Sequence, residues 1–303
     1  MNISGVVPDA TIAGSPERTL QRMVVMDSAG WAFILAEVSL EVAGRKREIA
    51  AMLMSLSISG LTRVHPCLPD KKGNLITVWN DRYWQLRTYV PGVPLPRPEY
   101  LDQSWRGEAL ADFLIDLRKA VSRTEHNFAG EIFSIVHFIK DFMRKLAMHN
   151  PDVLCELIPA RDYLAVEFFP VHNRLPPAFC HGDYHPMNVV WSEKAILSVI
   201  DWEFCGFKPE AYDLALLFGC LGIEDPQALK GPLVRSLMAR IRESGIYDDL
   251  SLTTLPDLVI ALRFAWLSDW LRRKDWDMVR LELDYLRLLL VNRTVLSSAW
   301  RDF

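Results

Sequence analysis

The stretch that decides the fold is Phe179–Ala215, FCHGDYHPMNVVWSEKAILSVIDWEFCGFKPEAYDLA. It carries three carboxylates and one carboxamide at informative positions, Asp183, Asn188, Asp201 and Asp213. Val189-Val190-Trp191 is β-branched and aromatic, Ser192-Glu193-Lys194-Ala195 is polar, and Leu197-Ser198-Val199-Ile200 is apolar again. That pattern predicts strand, turn, strand. Folded about its centre, the segment sets Val189 against Ile200 and Trp191 against Ser198. Asn188 and Asp201 then meet at the open end, their side chains about 5 Å apart. An amide oxygen and a carboxylate, with no Lys or Arg between Phe179 and Glu193, suit a hard divalent cation. Magnesium takes one or two protein oxygens and leaves its other positions to water and phosphate.

Asp183 lies five residues before Asn188, in the loop His181-Gly182-Asp183-Tyr184-His185-Pro186. Gly182 permits an unusual backbone angle and Pro186 fixes one. Such a loop can hold a carboxylate beside a metal without ligating it, where a base for an attacking hydroxyl belongs. Phosphoryl transfer asks for little more than metal, positioned nucleophile and a cradle for the nucleotide.

HGDYHPMNVVW followed by VIDWEFCGFKPEAYDLA resembles the catalytic core of the aminoglycoside phosphotransferase and choline kinase superfamily. The family pattern is H-G-D-x-x-x-x-N, then I-D-W-E or I-D-F-E, then a further Asp before a helix, and it is met at each point. The resemblance implies Asp183 as catalytic base, Asn188 and Asp201 as Mg2+ ligands, and ATP as co-substrate. His181 and Asp213 would be structural, although Asp213 could also simply N-cap the apolar run after it. The implied fold is α+β, a bilobal protein-kinase-like fold. It would have a small mixed-sheet N-lobe at residues 1–92 and a mostly helical C-lobe at residues 93–303.

The 303 residues are half hydrophobic, enough for two cores. A net charge of −4 and the lack of a long basic tract give no sign of a nucleic-acid partner. No apolar stretch reaches bilayer length, so no membrane partner is expected. Met1–Ser15 does not read as a signal peptide. Five scattered cysteines without zinc spacing point to a cytoplasmic setting.

Thr19–Val25 and Trp31–Ser39 predict strands around the turn Asp27-Ser28-Ala29-Gly30. The turn at Gly14-Ser15-Pro16 would lie over the nucleotide or simply on the surface. Arg45–Leu56 predicts a helix, with Glu48 where the family carries a Glu that pairs with a strand lysine. That lysine is missing, since Ala36 occupies its place. Arg18, Arg22, Lys46 and Arg87 are candidates for the lost charge, each individually better read as a solvated surface residue. Trp84–Val90 alternates as a strand, after which the backbone of Thr88, Tyr89 and Val90 would meet the adenine edge. Pro69–Leu75, Tyr89-Val90-Pro91-Gly92 and the non-lysine residue before Glu37 share features with homoserine kinases of this fold.

Further helices are predicted at Glu108–Val121, Phe133–Ala147, Asp162–Phe169 (stopped by Pro170), Pro232–Ser244, Pro256–Arg273 and Met278–Val291. Trp266, Asp269 and Trp270 could offer an aromatic wall and a carboxylate to a cationic substrate, though core packing is the plainer role for the tryptophans. Asp275, Asp277, Glu282 and Asp284 look equally like a solvated face. The expected activity is ATP- and Mg-dependent transfer of the γ-phosphoryl group to a hydroxyl of a small molecule, like that of an aminoglycoside phosphotransferase. The alternatives are a homoserine-kinase-like amino-alcohol kinase and a catalytically silent nucleotide-binding protein.

Overall fold

The structure is a computed structural model that describes residues 3–8, 10–12 and 19–303. The Gly14-Ser15-Pro16 loop and Arg18 lie outside the described residues. The chain divides into two compact units built from interleaved segments. The first takes Met1–Leu95, Phe113–Gly130 and Pro186–Cys205; the second takes Pro96–Asp112, Glu131–His185 and Gly206–Phe303.

The first unit opens with β1 (Ile3–Val6), β2 (Gln21–Asp27), β3 (Ala32–Val38), α1 (Leu40–Ile58), β4 (Thr77–Trp79) and β5 (Arg82–Thr88). The strands form one sheet in the order β1-β2-β3-β5-β4. The α+β expectation holds, while the sheet is antiparallel in all four ladders rather than mixed. Turn chemistry accounts for that. The Asp27 carboxylate accepts from Ala29 N and Trp31 N, both at 2.9 Å, and closes the β2–β3 turn. Asn80 and Asp81 both take positive φ between β4 and β5, as a two-residue hairpin requires.

Helix α1 begins five residues before its predicted start, because Gly44 and Arg45 break the apolar pattern without breaking the helix. Its buried face is Ala43, Lys46, Ile49, Ala50, Met52, Leu53 and Leu56. A lysine on that stripe is the anomaly to which the site returns.

The chain continues through α2 (Ser104–Val121), α3 (Ile135–His149), α4 (Pro151–Glu167) and α5 (Phe169–His172). Here Pro170 does not stop a helix. The helix before it starts at Pro151 and ends at Glu167, and Pro170 sits in the first turn of α5, where its missing N–H costs nothing. Next come β6 (Pro177–Cys180), β7 (Val189–Trp191), β8 (Ile196–Val199) and β9 (Gly206–Pro209). In the second unit β6 pairs with β9, and in the first β7 pairs with β8.

The chain ends in α6 (Tyr212–Glu224), α7 (Pro232–Ser244), α8 (Asp249–Thr253), α9 (Leu255–Arg273) and α10 (Trp276–Asp302). The core of the second unit forms where α9 packs on α3, α4, α6 and α10. Phe218 of α6 meets Trp300 of α10 edge-on at 4.7 Å. Among the described residues, no helix is long and apolar enough to cross a membrane.

Candidate active site

In the second unit, β6 delivers the chain into His181-Gly182-Asp183. Gly182 has φ +85°, open to glycine at little cost. The two backbone N–H groups of this bend both donate to one carboxylate. His181 N reaches Asp213 Oδ2 and Gly182 N reaches Asp213 Oδ1, each at 2.7 Å. Asp213 lies inside the first turn of α6, whose N-cap is Ala211, so it is not the cap of its own helix. Burial pushes its carboxyl up, opposed by His181 and by the two N–H bonds. The His181 ring is fully buried, and its Nδ1 accepts from Asp183 N at 3.2 Å, which places the ring proton on Nε2. The neighbouring Tyr184 is fixed by donation to Leu110 O at 3.1 Å.

Asp183 is about one-fifth exposed, with His185 Nε2 3.7 Å from its Oδ1. The aromatic sequence continues from His185 to Trp266 at 6.4 Å and on to Trp270, stacked at 6.1 Å. Trp270 donates to Glu282 at 3.3 Å, and Glu282 holds Arg263 through two bonds, one of them Arg263 Nε to Oε2 at 2.9 Å. Both charges are buried, a pair that is costly to break. Nearby, burial, opposed by Arg263 and reinforced by Asp183 and Glu282, pushes the Cys220 thiol up to about 12. Asp269 is bound by Arg272 and Arg273, so its charge is already balanced.

In the first unit, the β7–β8 hairpin forms with a register one residue from the expected one. Val189 faces Val199 and Val190 faces Ser198, with an irregularity before Trp191 and Ile196. The reason lies in the turn: the Ser192 hydroxyl accepts from Ala195 N at 3.0 Å, and Ser192 N donates to Ala195 O at 2.8 Å. Asn188 therefore lies opposite Ile200, whose N–H donates to its carbonyl at 2.9 Å. Asp201 follows with φ +64° and ψ +58°, a left-handed conformation that Asp tolerates better than most residues. The backbone leaves the strand at that point, so the carboxylate does not follow the strand's alternation.

Helix α1 meets this segment through Lys46, whose ammonium bonds Glu203, and through Arg45, which donates to Cys205 O. Glu48 is roughly two residues further round the helix from Lys46. It accepts from Ala129 N at 2.5 Å and lies 3.7 Å from Arg45. Of the expected adenine-facing residues, Tyr89 has its N–H committed to Ala32 O at 3.1 Å, and its hydroxyl donates to Thr11 O. Gly92, after Thr88-Tyr89-Val90, allows close passage over β7: a Cβ there would lie 2.6 Å from Val190 Cγ1 and 2.9 Å from Trp191 O.

Asn188 and Asp201 present a carboxamide and a carboxylate, hard oxygen donors that fit a divalent cation shared with phosphates. Among the described residues no three His, Cys, Asp or Glu side chains gather as an all-protein cage would need. Sequence reasoning missed the Lys46–Glu203 and Arg263–Glu282 pairs. The available signal was a charge on an apolar stripe, Lys46 among Ile49, Ala50 and Leu53, and Glu282 among Tyr285, Leu286 and Leu289.

Residues 19–243 match the phosphotransferase enzyme family. The chain belongs to that family. It is 26% identical to the homoserine kinase of Azorhizobium caulinodans, covering 83% of this chain and 78% of that one. An amicoumacin kinase in complex with AMP-PNP, Ca2+ and Ami superimposes with a TM-score of 0.71 at 14% identity, covering 94% of this chain and 90% of that one. A microcompartment-associated aminopropanol kinase gives 0.70 at 17%, covering 96% and 95%. The fold is the kinase-like α+β fold, and the chain is a small-molecule kinase.

Proposed function

We propose that the chain transfers the γ-phosphoryl group of ATP, with magnesium, to the hydroxyl of a small amino alcohol or hydroxy amino acid of the homoserine type. Asp183 takes the acceptor's hydroxyl proton as the oxygen bonds to the γ-phosphorus, and the bond to the β-phosphate oxygen breaks to release ADP. Asn188 and Asp201 hold the metal. When bound, magnesium neutralises charge on the phosphate oxygens. Residues 1–92 serve the nucleotide and residues 93–303 the acceptor in this reading, in a cytoplasmic setting.

The observation that carries the reading is the Asp213 clamp, two 2.7 Å bonds that fix the bend immediately before Asp183. The acceptor class is supported by the acids of the late helices. A polycationic aminoglycoside would need uncommitted carboxylates. Asp269 is held by two arginines, Glu282 by Arg263 and Asp284 by Arg287, and Asp275 caps its own helix through Met278 N, which leaves Asp277, exposed in the first turn of α10, as a single such acid outside these pairs. The homoserine kinase and aminopropanol kinase relatives support the same class.

The test is ADP release with ATP and magnesium over homoserine, ethanolamine, choline and aminoglycosides. Homoserine or another amino alcohol is expected to turn over fastest, and Asp183→Asn to lose at least roughly two orders of magnitude with the fold retained. Faster turnover of an aminoglycoside refutes the acceptor class. Nucleotide binding without turnover of any acceptor refutes the activity and leaves the silent reading.

A further inference from the structure

The β3 position that carries a phosphate-binding lysine in the family pattern is Ala36, almost fully buried. Its cross-strand partners are Arg22 on β2 and Gln85 on β5. Directly paired residues of an antiparallel ladder send their side chains to the same face. Arg22, Ala36 and Gln85 therefore form one row on one face, and Val24, Ile34 and Arg87 form the next row on that face.

The face is the one that meets α1 and the segment after β8. Gln85 Nε2 donates to Lys46 O at 3.4 Å, and the Lys46 side chain bonds Glu203, two residues beyond Asp201. Arg22 thus springs from the sheet one strand spacing, about 4.8 Å, from where the lysine would emerge. Its side chain is as long as a lysine's.

The other cations do not fill the place. Lys46 is buried and bonded to Glu203. Arg87 stands on β5, also next to β3, but it pairs with Ile34, one row along from Ala36, whereas Arg22 pairs with Ala36 itself. Glu37 alternates to the opposite side of β3, where it meets Arg82. Arg22 is half-buried, and its guanidinium reaches Ile12 O at 3.4 Å. Burial pulls it down, the Asp201 carboxylate holds it up, and Arg87 opposes it. It therefore lies in the field of the candidate metal ligand.

We propose that Arg22, on the strand beside the one that lacks the lysine, supplies the cation that binds the nucleotide's phosphates. This rests on the nucleotide reading above. Unlike a lysine's point charge, the guanidinium offers a fork of donors that can hold two phosphate oxygens together.

The test is calorimetric titration of the intact chain with Mg-ATP and with adenosine, for wild type, Arg22→Lys and Arg22→Met, alongside melting curves. Arg22→Met is expected to weaken Mg-ATP binding about ten- to a hundredfold and to leave adenosine binding within about twofold. Arg22→Lys should fall between. If Arg22 only balances Asp201, its removal leaves the metal ligand more negative, and Mg-ATP binds as well or tighter; that result overturns the proposal. Parallel weakening of ATP and adenosine also overturns it, because the phosphates are then not what Arg22 reads. A wild type that binds no nucleotide at all overturns the nucleotide reading itself, and the role of Arg22 with it.

Discussion

Replacing Asp213 by alanine removes the acceptor for two backbone N–H groups at once. Both bonds are 2.7 Å long and the carboxylate is 2% exposed, so no water takes its place without rearrangement. A buried donor left unpaired costs about 1–3 kcal/mol, so the pair costs about 2–6 kcal/mol. Against this stands the relief of a buried carboxylate that burial was already pushing towards protonation. The balance is a loss of about 2–4 kcal/mol, or a melting temperature lower by about 3–6 °C for a chain of this size. Asp213→Asn keeps the shape and one acceptor oxygen but turns an amine towards one N–H, and should lose about half as much. Because the bend carries Asp183, kcat should fall at least about tenfold in both variants while the KM for nucleotide changes less. Melting curves and steady-state kinetics on the same preparations decide it. An Asp213→Ala chain melting within about 1 °C of wild type with unchanged kcat would refute the clamp.

Asp201→Asn keeps a side chain that tolerates the left-handed backbone, so the melting temperature should hold while turnover drops at least roughly a hundredfold and the magnesium requirement rises; normal turnover at low magnesium would remove Asp201 from the metal. Gly107→Ala sets a Cβ 2.1 Å from Leu233 O and 2.3 Å from Ser236 Oγ, where α2 crosses α7, and should cost about 1–3 kcal/mol in a melting experiment; a neutral result would mean the two helices are further apart. Burial holds the His172 imidazole below its ordinary value of 6.5, with Asn173 opposing. The unfolded chain therefore binds a proton that the folded chain refuses, and stability should fall as the pH drops below about 6.5. Melting curves between pH 7.5 and 5.5 should show a shallower decline in His172→Phe than in wild type, and equal slopes would exclude this histidine.

The hairpin after Asn188 was legible because β-branched and apolar runs flank a polar turn, and the element order followed from turn and helix patterns. Its register was not, since a one-residue choice depends on which hydroxyl closes the turn, here that of Ser192. The start of α1 was hidden by Gly44 and Arg45, polar or flexible residues that a packed helix tolerates. Pro170 was taken as a stop because a proline ends a helix and begins one with equal ease. Which cation lies in the field of Asp201 cannot be read along a chain: Arg22 and Asp201 come within electrostatic range through a strand pairing and a hairpin that are far apart in sequence. Asp269, Glu282 and Asp284 looked available for a cationic ligand because the arginines that hold them, three or four residues on or on another helix, are read as solvent-facing in a pattern.

The Lys46–Glu203 pair spans 157 residues of chain. A ribosome adding roughly 5–20 residues per second completes α1 about seven to thirty seconds before it makes Glu203. Throughout that interval the nascent helix carries an ammonium on the stripe it must bury, and Arg45 lacks the Cys205 carbonyl it will bond. A segment made well before Glu203 is thus among those that settle late. For this chain, the hazard of aggregation during synthesis sits in the sheet and helix made ahead of Glu203, and it is there that a chaperone would be needed for longest.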